Sequence, residues 1–100
     1  MDEVFHALSH PARREIVARL ATGSTTVGEV ARPLGMTAPA VTKHLKVLEG
    51  AGLVDRRIIG RQHHLSLVTG PLGSAAGWIE GIEQFWERGL DRLAHTLEGT

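Results

Sequence analysis

Apolar residues recur at three- and four-residue steps along most of this chain and switch only once to strict alternation. Val4, Phe5 and Leu8 form a short periodic segment at the start. In "SHPARREIVARLATG", Ile16, Val17 and Leu20 line one face, Pro11 suits a first helical turn and Gly23 marks the stop. "STTVGEVARPLG" repeats the pattern: Thr25 or Thr26 is the cap, Val27, Val30, Ala31 and Leu34 form the apolar side, and Pro33 with Gly35 ends it. "TAPAVTKHLKVLEGAGLV" predicts a further helix, capped by Thr37 with Pro39 in its first turn. Val41, Leu45 and Leu48 share its buried face, and Gly50 and Gly52 bracket its exit.

The alternation lies in "LVDRRIIGRQHHLSLV", which predicts two strands joined by a two-residue turn at Gly60-Arg61. That turn sets Ile58 opposite His63, Arg56 opposite Leu65 and Val54 opposite Leu67, on a mostly apolar face expected to pack inward. Arg57 opposite His64 and Asp55 opposite Ser66 make the face expected to be wet. From about Leu72 the helical period returns, through Trp78, Ile79, Ile82, Phe85, Trp86, Leu90, Leu93 and Leu97. The expected architecture is mainly α with a β-hairpin wing (α+β), a winged helix-turn-helix in the order α-α-α-α-β-β-α. A single domain over residues 1–100 is expected, with the helix-turn-helix at about 26–50, the wing at about 53–68 and a C-terminal helix at about 72–98.

Charge sharpens this picture. The net charge of zero conceals an asymmetry: residues 1–64 carry nine Lys/Arg and six Asp/Glu, giving +3, and residues 65–100 carry two and five, giving −3. The only two lysines, Lys43 and Lys46, stand one turn apart on the helix that follows the "LGMT" turn. Its outer face holds Pro39, Thr42, Lys43 and Lys46, with His44 at one margin. A second helix with a cationic outer face after a tight turn fits the major groove of DNA, where lysine meets phosphate or guanine and threonine meets a base edge. Arg56, Arg57 and Arg61 of the hairpin lie beside the same groove. Positive charge concentrated where phosphate will lie makes the overall balance immaterial.

Other classes of function find little support. There is no cysteine, so no disulfide, thiolate metal site or cysteine nucleophile, and a reducing cytoplasm is the expected compartment. No Gly-rich phosphate loop, H-E-x-x-H or G-x-S-x-G occurs, so an enzyme is not expected. No apolar run is long enough for a bilayer, and "MDEVFHALSH" does not read as a secretory signal, so no membrane partner is expected.

The stretches "ALSHPARREIVARLATG" and "VARPLGMTAPAVTKHLKVLEGAGLVDRRIIGRQHHLSL" resemble the ArsR/SmtB family of winged-helix bacterial repressors. The run from His44 to Val54 carries most of the likeness, which covers about residues 4 to 68. The resemblance implies a homodimeric repressor that binds double-stranded operator DNA and is released by a signal; the sequence identifies no small-molecule effector. It further implies a dimer interface from the terminal helices, which here means Val4, Phe5 and Leu8 with Ile79, Ile82, Phe85, Trp86, Leu90 and Leu93. The broad aromatic and aliphatic band agrees with a face that continues into a partner. The expected DNA-contacting residues are Thr37, Ala38, Thr42, Lys43, His44, Lys46, Arg57, Arg61 and His64.

The chain also departs from the family pattern. Where family recognition helices often open with S-Q-S/P-T, this one reads Thr37, Ala38, Pro39, Ala40, so an amide that would read bases is missing. Readout then rests on Thr37, Thr42, Lys43 and His44, or on DNA shape. Wing positions that are aromatic in many members are His63 and His64. Cysteine ligands used by metal-sensing members are absent, and of the carboxylate and histidine set only the H-x-x-E half, His95 and Glu98, is present. Neither a metal nor a cofactor is expected. His44, His63 and His64 raise the further expectation of pH-dependent DNA affinity. Two alternatives remain: a weakly specific architectural DNA binder, and a winged helix that docks proteins.

Overall fold

In the computed structural model, which describes residues 1–99, the periodic segments become five helices and three strands. Helix α1 (Asp2–Ala7) leads into α2 (Pro11–Leu20), whose N-cap His10 accepts a hydrogen bond from the Ala12 N–H through Nδ1 at 3.1 Å. Arg13 of α2 is buried, and its guanidinium closes the end of α1. Its Nε donates to the Ala7 carbonyl at 2.6 Å and its Nη2 to the His6 carbonyl at 3.1 Å. The His6 carbonyl also accepts from the Ser9 N–H and hydroxyl, so the guanidinium matters most to the Ala7 carbonyl, and a cation there suits the helix dipole.

A two-residue strand, β1 (Thr25–Thr26), precedes α3 (Val27–Leu34). The sequence pattern offers these threonines only as caps. Thr26 is indeed the cap, accepting from the Glu29 N–H at 3.3 Å. Two residues have no period, so this strand exists only through pairing with a distant partner. The Thr25 hydroxyl donates to the Glu29 carboxylate and draws that group below its ordinary pKa. Gly35 (φ 63°) ends α3 in the left-handed conformation that favours glycine. One tight turn later comes α4 (Ala38–Gly50), capped by Thr37.

The hairpin consists of β2 (Val54–Ile59) and β3 (Gln62–Leu67), in the expected register from Val54 opposite Leu67 to Ile58 opposite His63. Gly60 (φ 64°) supplies the positive φ that the first turn position needs. The antiparallel sheet has the order β1-β3-β2, with Thr25 opposite Leu65 and Thr26 opposite His64.

Ile16, Val30, Val41, Leu45, Leu48, Leu53 and Leu65 form the fully buried centre, so helices α2 to α4 and the base of the hairpin share one core. The inward face of the hairpin holds only at that base. Val54 and Leu65 are buried, whereas Ile58 is 64% exposed, which corrects the expectation that it packs inward. Alternation sets which side a residue faces, but burial also needs something on that side, and the ribbon outruns the helices.

The last helix, α5 (Gly70–Glu98), starts slightly before Leu72 and has 29 residues. At 1.5 Å per residue it is about 43 Å long. Only Ala75 is buried in it, with Pro71 and Leu72 half-buried. The remainder projects from the domain and gives the molecule its 71 Å long axis.

Candidate nucleic-acid interface

Helix α4 presents three faces. Val41, Leu45 and Leu48 turn into the core. Pro39, Lys43 and Lys46 form the exposed outer stripe. Between these, Ala38 and Thr42 face an open cleft of about 400 Å³ whose other walls include Thr26, Val27 and Gly28 of β1 and α3, and Arg56, Arg61 and His63 of the hairpin. The cleft brings the first turn of α3, the front of α4 and the wing together on one side of the molecule.

Among the expected residues, Thr37 is exposed but already accepts the Ala40 N–H at 3.3 Å as a cap. Thr42 is half-buried and its hydroxyl donates to the Ala38 carbonyl at 2.9 Å. Lys43, Lys46 and Arg61 are exposed and make no ion pair with any described residue. Of the expected residues, these three are the cations free of an ion pair among the described residues. Removing bound counterions from phosphate is how such charges contribute to affinity.

Three other residues lie elsewhere. His44 turns toward α2, its ring 4.6 Å from that of His10 and its Nδ1 3.4 Å from Arg13 Nη1. Burial lowers its pKa from the ordinary 6.5, and the neighbouring His10 and Arg13 act in the same direction. The ring therefore stays neutral at physiological pH and packs two helices together; it adds no charge to the outer stripe. Arg57 and His64 stand on the opposite side of the hairpin from the cleft, around a separate hollow with Ser24, Asp55 and Ile59. There Arg57 is highly exposed and 3.8 Å from Asp55.

Arg56, expected beside the groove but not among the DNA-contacting residues, and His63, expected only as a titrating wing residue, both line the cleft. Arg56 Nε donates to Glu49 Oε1 at 2.9 Å, its Nη2 donates to the same oxygen, and its Nη1 lies 3.1 Å from His63 Nδ1. The hairpin register already put Arg56 and His63 on one face of the ribbon. What the register lacks is Glu49, contributed by the end of α4.

Val4, one of the expected interface residues, is 6% exposed within the domain's own core, and Phe5 and Leu8 are half-buried. The α5 residues present a different picture: Phe85, Trp86, Leu90 and Leu93 are each more than half exposed, and Ile79 and Ile82 somewhat less. His95 and Glu98 sit on the far end of α5, and among the described residues no three metal-ligating side chains gather. No helix among the described residues is long and apolar enough to cross a membrane.

Comparisons with known proteins fit this geometry. A family described as a helix-turn-helix domain matches residues 8–57. The chain is 41% identical over 97 residues to the HTH-type transcriptional regulator Rv2034 of Mycobacterium tuberculosis, covering 97% of this chain and 88% of that protein. It is 32% identical to the transcriptional repressor SdpR of Bacillus subtilis, covering 79% of this chain and 88% of the relative. Among solved structures, an ArsR-like transcriptional regulator from Rhodococcus sp. RHA1 superposes with a TM-score of 0.87 at 29% identity, over 99% of this chain and 91% of that one. The helix-turn-helix, the wing and these likenesses together place the chain in the ArsR/SmtB family of winged-helix DNA-binding transcriptional regulators.

Proposed function

We propose that this protein is a cytoplasmic, homodimeric repressor that binds double-stranded operator DNA through the outer face of α4 and the tip of the wing. The observation that carries the reading is that Arg61 lines the cleft fronted by Ala38 and Thr42 while Lys43 and Lys46 are exposed on the outer stripe of the same helix, all three without an ion pair among the described residues. Helix α4 enters the major groove with Thr42 at a base edge, while Lys43, Lys46 and Arg61 meet phosphates. His44, packed against His10, supports the helix from behind. A second copy covers the apolar band of α5, since Phe85, Trp86, Leu90 and Leu93 otherwise stand in water. The repressor names of relatives such as SdpR support the direction of regulation.

The test is fluorescence anisotropy of the purified protein on DNA from upstream of its own gene, against a scrambled duplex, across a salt series. Strong preference for the upstream DNA supports a sequence-specific regulator. Binding to neither duplex counts against the reading and favours protein docking.

A specific observation supports a second reading, weakly specific architectural binding. Both threonine hydroxyls at the front of α4 already hold backbone groups, and Ala38 and Pro39 offer none. Specificity would then come from DNA shape. Equal, steeply salt-dependent binding to both duplexes is its signature.

A further inference from the structure

We propose that Arg56 is a positioning residue that locks the wing to the recognition helix, and so sets where Arg61 meets DNA relative to Lys43 and Lys46. This rests on the DNA-binding reading above and assigns a role within it.

One guanidinium joins three elements. Glu49 belongs to the last turn of α4, Arg56 to β2 and His63 to β3. Nε and Nη2 of Arg56 both donate to Glu49 Oε1, and Nη1 reaches His63 Nδ1, which accepts in the tautomer that leaves that nitrogen bare. The fork geometry of arginine suits such bridging, and a lysine has no equivalent.

Two features separate this role from phosphate binding. The Arg56 side chain is 19% exposed, against 82% for Arg57, and it is already committed to a carboxylate. A phosphate would have to displace Glu49 to reach it. In addition, the ribbon has little else to aim it. Its base is held by Val54 and Leu65 in the core and by β1, which pairs with β3 at Leu65 and His64, but Ile58, Ile59, Gly60 and Arg61 are all exposed. Past the end of β1 the ribbon is two-stranded, and two-stranded ribbons twist variably. The contacts of Arg56 lie between the anchored base and the free tip.

The proposal makes a prediction opposite in sign to simple charge counting. Glu49 is a negative charge beside a surface meant for DNA, so its removal should help binding if only net charge counts. If Glu49 holds Arg56 and Arg56 holds the wing, Glu49→Gln should harm it.

The experiment uses the full chain and a duplex selected by the wild-type protein from a random-sequence pool. Glu49→Gln is expected to bind about tenfold more weakly, the scale of a lost charged hydrogen bond. Arg61→Ala should cost less in that background than in the wild type, because the wing has already lost its aim. In the free protein, amide hydrogen exchange from Ile58 to Gln62 should quicken. Equal or tighter binding together with unchanged wing exchange overturns the proposal. If the wild type selects no duplex, the DNA-binding reading fails, but wing exchange in the free protein still decides whether Glu49 and Arg56 hold the hairpin. Should Glu49→Gln fail to fold, His63→Phe removes the Nη1 contact alone and is read by the same exchange and binding measurements.

Discussion

Phe5 of α1 meets Trp78 of α5 edge to face, with ring centroids 5.6 Å apart and planes at 63°. This contact marks the point where the long last helix leaves the domain. Before it, Leu72 and Ala75 pack on the core; after it, the helix carries its aromatic and leucine band into solvent. Two tryptophans on one helix therefore do different work, and they can be separated by mutation.

Trp78→Ala should loosen the root of α5 and cost about 1–2 kcal/mol of stability, the range of an aromatic pair plus partial burial. Urea unfolding checks this. Trp86→Asp should leave the helix-turn-helix and wing folded but abolish the proposed dimer, and DNA binding with it. Sedimentation velocity reads the first effect and anisotropy the second. A Trp86→Asp dimer of unchanged strength would remove α5 from the interface.

Arg13→Met retains the length and apolar stem of the side chain but strands the Ala7 carbonyl, while the His6 carbonyl keeps the Ser9 N–H and hydroxyl as donors. The expected loss is about 2–3 kcal/mol, seen as a lower midpoint in urea at unchanged slope. A loss within a few tenths would mean water replaces the guanidinium at no cost.

The depressed pKa of His44 gives stability a definite pH dependence. The unfolded chain takes up this proton near the ordinary 6.5, whereas the folded chain resists it because of burial and the nearby His10 and Arg13. The contribution is thus present above pH 6.5 and is lost as pH falls through the folded value. His44→Gln should flatten the stability curve below pH 6.5, as measured by thermal unfolding at constant salt. An unchanged acid limb in that variant would place the effect on another group.

Lys46→Ala should weaken binding to all duplexes about equally and reduce the salt slope by about one. Thr42→Ala should lower discrimination more than affinity. Titrations of a selected and a scrambled duplex at several salt concentrations distinguish the two. The reverse pattern would exchange their roles, with Thr42 positioning the helix and Lys46 reading it.

Much of this structure was legible in advance, for identifiable reasons. A cap at Thr25 or Thr26, a cap at Thr37, the stop at Gly35 and an exit bracketed by Gly50 and Gly52 are local chemistry, visible within a few residues; the structure selects Thr26. Gly60-Arg61 defined the hairpin register, and every expected pair from Val54 with Leu67 to Ile58 with His63 is present. The threonine strand β1 and the exposure of Ile58 were not legible, since each depends on what lies, or does not lie, across from it. The outward faces of Lys43 and Lys46 followed from the helical period. The turn of His44 toward His10 did not, because it is set by a helix more than thirty positions away in the chain.

Periodicity, capping and turn chemistry determined the helices, the hairpin and the faces of α4, because these depend on neighbours in the chain. Tertiary structure alone decided three other matters: Arg13 closes α1, His44 becomes a neutral packing residue, and Arg56 is held between Glu49 and His63. Each of these depends on a charged or titratable group whose partner comes from another element. The meaning of such a group is set by distance and burial, and neither is defined until the core brings the elements together.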